Sequence, residues 1–209
     1  MDNEALVIAI SVVISYLLGS VPTAYLMGRF VKGIDIREVG TRNMGAMNTF
    51  YEVGFFPGLV VLLVDIGKGA AAIAVAQALD MPLYVLYLAG VMAWLGHAIP
   101  VWLRFHGGKG GATVIGIFIY LMPWGIPVGA AVFGLVLLLT RFPTFSYSVG
   151  LMSFPFVAWL IYHDGWLVAY TIFVLLLPGL HYLPRLKEIR SKSSSWRTAF
   201  IRKSLKDRR

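Results

Sequence analysis

Cysteine is absent from the 209 residues, which excludes disulfides, thiolate nucleophiles and cysteine-ligated metals. Charge is scarce: 13% of the residues are charged, about half the ~25% usual in soluble domains. No histidine has an aspartate five positions after it; Trp102, Gly111, Val168 and Leu186 stand there. A His–Asp general-base pair of that spacing is therefore excluded. No two histidines have the helical spacing of metal ligands, so no metal is expected. A nucleotide-binding phosphate loop is excluded too, because Lys109 is followed by Gly110 rather than by Ser or Thr and no strand precedes it.

What fills the chain is apolar sequence. Hydrophobic residues make up 58% and mean hydropathy is +0.77, the composition of an all-α polytopic membrane protein. At about 20 apolar residues per span, the runs 5–27 (containing Pro22), 55–79 and 82–103 predict three spanning helices. The runs 113–123 and 126–140 predict two short spans or one broken pair, and 149–162 and 166–182 predict the last two. About seven transmembrane helices result, some of them short. The first run follows Asp2 and Glu4 rather than a basic region, so a retained span is expected rather than a cleaved leader.

Basic residues orient this arrangement, since Lys and Arg accumulate on the cytoplasmic side. With seven spans, Arg29, Lys32, Arg37, Arg42, Arg104, Lys109, Arg141 and the C-terminal tail share one side. The other side carries Asp2, Glu4, Asp80 and Asp164 and no Lys or Arg; Lys68 alone lies inside a span. The N-terminus is thus expected outside and the C-terminus in the cytoplasm. Residues 1–184 form the polytopic membrane domain and 185–209 a basic cytoplasmic tail. Ten Lys or Arg against Glu188 and Asp207 give the tail the whole net charge of +8. Anionic lipid headgroups are its expected partner, at about 1 kcal/mol per charge, and no nucleic acid is expected.

Three polar segments emerge on the cytoplasmic side of this arrangement. Residues 97–113 place Gly107, Gly108, Gly110 and Gly111 around Lys109, with His97 and His106 in the same stretch. Glycines let backbone N–H groups approach an anion closely, and the lysine adds a full charge. The loop reads as a phosphate or acyl-anion site; its alternative is a tight interhelical turn whose lysine faces headgroups. Residues 40–49 offer Thr41, Asn43, Asn48 and Thr49 as neutral donors and Arg42 as a fork for phosphate. Residues 141–148 add Arg141, Ser146 and Ser148. Inside the second span Asp65 and Lys68, three apart, can pair on one helix face. Such ionisable residues mark function by default, with a purely structural pair as the alternative.

These residues resemble the bacterial PlsY family of membrane acyl-phosphate:glycerol-3-phosphate acyltransferases. The family's first motif is similar to G-S-x-N-x-G-A-x-N, where this chain has Gly40-Thr41-Arg42-Asn43-Met44-Gly45-Ala46-Met47-Asn48. Gly96, His97, Pro100, Phe105, Gly107, Gly108, Lys109, Gly110, Ala112 and Thr113 match its second motif, and Asp65-Ile66-Gly67-Lys68-Gly69 its D-x-x-K-G. Tyr51 stands where the family usually has arginine, and Ser146 or Ser148 replaces a hydroxyl of its third motif. The resemblance implies a bacterial inner-membrane enzyme whose active site faces the cytoplasm. It would move a fatty acyl group from acyl phosphate to the 1-hydroxyl of glycerol 3-phosphate, giving lysophosphatidic acid, with no cofactor. His97, Lys109 and Asn43 become the catalytic candidates. Thr41, Arg42, Gly45, Asn48, Lys68, Gly107, Gly108, Gly110, Thr113, Arg141, Ser146 and Ser148 become the substrate-binding candidates. A paralogue with another acceptor, and a non-catalytic transporter or lipid-binding protein, remain the alternatives. Oligomeric state is not legible.

Overall fold

The computed structural model describes residues 2–191, with side chains omitted at 2, 182 and 184–191; residues 192–209, most of the expected basic tail, lie outside the described residues. Among the described residues there are ten α-helices and no strand. The chain divides into two compact units, 1–121 and 122–209. Its surface is studded with large apolar side chains; Leu138 and Trp166, for example, are each 80% exposed. An apolar exterior of this kind suits lipid rather than water as solvent. Three helical stretches are long and apolar enough to cross a membrane: Asn3–Lys32, Phe55–Ala78 and Leu83–Leu103.

In the first unit the expected opening span is broken. Helix α1 covers Asp2–Ser20 and α2 covers Thr23–Lys32. Pro22 has no N–H to donate to the preceding turn, so the helix stops at Ser20 and restarts two residues beyond Val21. Gly33, left-handed at φ 68°, ends α2. A loop leads to α3 (Ala46–Glu52), whose last carbonyl takes the Lys32 ammonium at 2.7 Å. Helix α4 (Phe55–Ala78) and α5 (Leu83–Ala98) follow the expected second and third spans, and α6 (Gly111–Leu121) the fourth. Eleven residues rise only about 17 Å, well short of a ~30 Å hydrocarbon core.

Small residues set how closely these helices approach. A Cβ on Gly19 would strike the Ala93 backbone, and one on Gly96 the Tyr16 carbonyl, so α1 and α5 touch backbone to backbone. Gly69 faces the Thr113 carbonyl and Gly116 the Ile66 carbonyl, which does the same for α4 and α6. Apolar burial gives no preference for helix over lipid inside a bilayer, so close packing of this kind carries the association. Gly69→Val is expected to destabilise by about 1–3 kcal/mol, because backbone atoms cannot rotate away from the added side chain. Gly67→Val, whose site has nothing within 4 Å, is the control; thermal midpoints in detergent compare the two.

The second unit holds α7 (Gly125–Thr140), α8 (Pro143–Leu151), α9 (Phe154–Leu160) and α10 (Gly165–Ser191). Here the expected sixth span, 149–162, is corrected. Helix begins already at Pro143, which suits a first helical position, so most of the expected polar loop 141–148 is helical. The span then breaks at Met152 and Ser153. Gly125 and Gly129 pack on the Phe154 ring. Asp164 caps α10 through the Trp166 and Leu167 N–H groups at 2.8 and 3.0 Å.

Candidate functional site

The loop 33–45 is shaped by two side-chain devices. Asp35 is buried and receives the Arg37 guanidinium through Nη2 at 2.7 Å and Nε at 3.0 Å, plus the Arg37 backbone N–H at 3.0 Å. Arg29 approaches the same carboxylate at 3.5 Å, and both guanidinium groups lie over the Tyr25 ring at 5.3 and 5.1 Å. The second device is Asn48, on α3 and 1% exposed. Its amide nitrogen donates to the Ile36 and Val39 carbonyls at 2.9 and 3.1 Å, and its oxygen accepts the Thr41 N–H at 2.9 Å. Both N–H donors of this side chain are therefore spent on the loop backbone.

The Arg37 hydrogen bond holds the Asp35 carboxyl below the usual carboxylate range, against the opposing effect of burial. A carboxyl depressed in the folded state stabilises above its unfolded pKa of about 3.9 and loses that contribution as pH falls through the lower folded value. Asp35→Asn is thus expected to lower the thermal midpoint at neutral pH and to flatten its fall below about pH 4. Melting curves of both proteins across acid pH check this.

The second loop is folded back on the helix that precedes it. The Gly107 and Gly108 N–H groups donate to the Ala98 and His97 carbonyls at 3.1 and 3.0 Å. Arg104 and Phe105 make the reversal with φ of 52° and 63°. The Tyr16 hydroxyl donates to the Ile99 carbonyl at 2.8 Å and fixes the start of the turn. Trp94 Nε1 donates to the Lys109 carbonyl at 3.1 Å. Gly110 follows at φ 75°, packed against the Trp94 ring where a side chain has no room. Helix α6 then begins, with the Val114 N–H on the Gly110 carbonyl at 2.9 Å. Lys109 is thereby carried, half-buried, on a backbone pinned from both sides.

Gly108 is where the two loops meet. A Cβ there would overlap both His97 Nε2 and the Met44 carbonyl oxygen. Beneath lies a buried ionic cluster: Lys68 Nζ sits 2.8 Å from Asp65 Oδ1, and His97 Nδ1 lies 3.7 Å from that same oxygen. Lys68 also donates to the Val21 carbonyl at 3.3 Å, the group beside the Pro22 break. Asp65, Lys68 and His97 are 2%, 5% and 3% exposed.

Of the residues singled out in the sequence, the structure brings together His97, Gly107, Gly108, Gly110, Asp65 and Lys68, with Met44 of the other loop against them. Asn43 Nδ2 lies against Gly45. Thr41 and Arg42 are exposed, Arg42 at φ 58°. Thr113 is fully buried on the first turns of α6, and its hydroxyl has no hydrogen-bond partner among the described residues. His106 is exposed and its Nδ1 lies 2.6 Å from the Arg104 carbonyl. Arg141, Ser146 and Ser148 belong to the second unit. There Arg141 is exposed, Ser146 donates to the Phe142 carbonyl at 2.8 Å and Ser148 to the Thr144 carbonyl at 2.9 Å.

Sequence reasoning missed Trp94 and the Asp35–Arg37 clamp. Trp94 sits three residues before His97 on α5, and that spacing on a helix ending at a glycine loop was the available signal. Among the described residues no group of three or more His, Cys, Asp or Glu could hold a metal.

Comparison with known proteins bears on this geometry. Residues 9–191 match a family model described as glycerol-3-phosphate acyltransferase. Glycerol-3-phosphate acyltransferase 2 of Dehalococcoides mccartyi is 51% identical over 208 residues, covering 99% of each chain. Glycerol-3-phosphate acyltransferase 1 of the same organism is 37% identical over 179 residues, covering 83% of this chain and 86% of the relative. A crystal structure of PlsY (YgiH), an integral membrane glycerol 3-phosphate acyltransferase, in its glycerol 3-phosphate form, superposes with a TM-score of 0.81. It is 25% identical, and the match covers 88% of this chain and 92% of that one.

Proposed function

This chain belongs to the glycerol-3-phosphate acyltransferase family, and on that premise we propose how its residues carry the reaction. It is an all-helical, multi-pass membrane enzyme that acylates glycerol 3-phosphate to give lysophosphatidic acid. The donor is a fatty acyl phosphate. The 1-hydroxyl oxygen attacks the acyl carbon, the bond from that carbon to the phosphate oxygen breaks, and inorganic phosphate leaves with the pair of electrons. The hydroxyl proton passes to the departing phosphate. An acyl phosphate is already activated, so positioning and stabilisation of the carbonyl oxyanion supply the rate and no covalent enzyme intermediate is required.

Within the first unit, Lys109 and the backbone that follows it into α6 hold the donor phosphate, Asn43 faces the reacting groups, and His97, buried behind Gly108, positions the loop. Arg42, exposed beside Thr41, meets the acceptor phosphate. Asn48 serves the acceptor side through the loop it fastens. Arg141, Ser146 and Ser148 enter no step of this reading. The one-sided distribution of Lys and Arg supports a site facing the cytoplasm of a bacterial inner membrane, with seven spans, an external N-terminus and a basic tail from 185 onward against lipid headgroups. The observation that carries the reading is the Gly108 junction, where the lysine loop, His97 and the Met44 carbonyl converge.

The test is product identification. Purified protein given palmitoyl phosphate and glycerol 3-phosphate is expected to form palmitoyl lysophosphatidic acid, detected by mass, only when both are present. Product with a different acceptor and none with glycerol 3-phosphate would overturn it.

A further inference from the structure

We propose that the buried Asp65–Lys68 pair is a positioning device for the transfer reaction, acting through the His97 imidazole on the glycine-lysine loop. The proposal rests on the acyltransferase reading and assigns a task to charges that a purely structural reading leaves without one.

The geometry is a chain of contacts. Asp65 Oδ1 holds Lys68 at 2.8 Å and stands 3.7 Å from His97 Nδ1, while the opposite side of the same ring, Nε2, is packed against Gly108. The imidazole is therefore confined from both ends, by the carboxylate and by the loop. A distance of 3.7 Å is beyond a hydrogen bond, so the carboxylate acts on the ring by charge and by filling space. Lys68 is held in turn by the Val21 carbonyl at 3.3 Å, which ties the cluster to the break between α1 and α2. Motion of the pair would be felt at His97, and motion of His97 at the residue next to Lys109.

Packing alone does not call for these charges. Helix α4 already meets α6 through Gly69 and Gly116, and a buried ion pair is often replaced by apolar groups of similar volume without loss of stability. An ionisable pair kept inside a span and aimed at the functional loop fits a role in setting that loop.

The experiment is an activity cycle on the full chain, with kcat and KM measured for palmitoyl phosphate and glycerol 3-phosphate. Asp65→Asn with Lys68→Met removes both charges at nearly constant volume and leaves no buried ion without its partner. The neutral pair is expected to fold as the wild type does, with kcat lowered about a hundredfold, the scale of a small misplacement of reacting groups. In a His97→Ala background the same two changes are expected to cause no further loss, since the route through the imidazole is already gone. Wild-type kcat in the neutral pair would overturn the proposal. So would losses that multiply in the His97→Ala background, or failure of the neutral pair to fold, which would make the charges a requirement of the fold. Absence of turnover in the wild type would overturn the acyltransferase reading and this inference with it.

Discussion

Lys109→Ala is expected to lower turnover about a thousandfold, the scale seen when one preorganised charge-stabilising donor is removed, while the protein still folds. Three contacts that fold the loop end on its backbone groups. Trp94 Nε1 binds the Lys109 carbonyl, and the Gly107 and Gly108 amides bind the Ala98 and His97 carbonyls. Truncating the side chain leaves those contacts in place. What it removes is a half-buried ammonium, and a partly buried charge beside a phosphate counts for more than it would in bulk solvent. The loss should fall on kcat as well as on donor KM, because the phosphate gains charge as the acyl bond breaks. Steady-state kinetics and a thermal midpoint on the same preparation check both halves. A variant that melts like the wild type and keeps its activity would take Lys109 out of the mechanism.

Gly108→Ala, one added methyl group, is expected to lower kcat about a hundredfold or more by displacing the loop. The added carbon would overlap His97 Nε2 and the Met44 carbonyl oxygen. Neither neighbour can yield easily: one is main chain, and the other is a buried ring backed by Asp65. The loop itself must move, and it carries Lys109 with it. Gly134→Ala, where a methyl group meets nothing within 4 Å, is the matched control. Kinetics of the two variants beside their melting curves separate a shifted site from a damaged fold.

Much of the architecture was legible because bilayer helices are written as long apolar runs. The runs beginning at 55 and 82 became α4 and α5 with boundaries within a few residues. Pro22 was visible, but not that it would split the first helix completely and leave the Val21 carbonyl for Lys68. That outcome depends on a residue 47 positions away. The sixth span was misjudged because Thr144, Ser146 and Ser148 read as loop residues, whereas on α8 the Ser146 and Ser148 hydroxyls turn back to carbonyls of their own helix. The Asp65–Lys68 pair followed from spacing alone. The meeting of Met44, Gly108 and His97 did not, since no local pattern encodes a contact between two separate loops. Asn48 looked like a group for substrate, and the structure shows its amide donors engaged with the Ile36 and Val39 carbonyls. An asparagine that clasps a loop and one that greets a ligand look the same in sequence.

The most direct measurement is phosphate release from palmitoyl phosphate by the purified wild-type chain, with and without glycerol 3-phosphate, set against lysophosphatidic acid formed. The expected result is release that depends on the acceptor and matches the product mole for mole. Equal release without acceptor would show a hydrolase, and no release with it would contradict acyl transfer at this site.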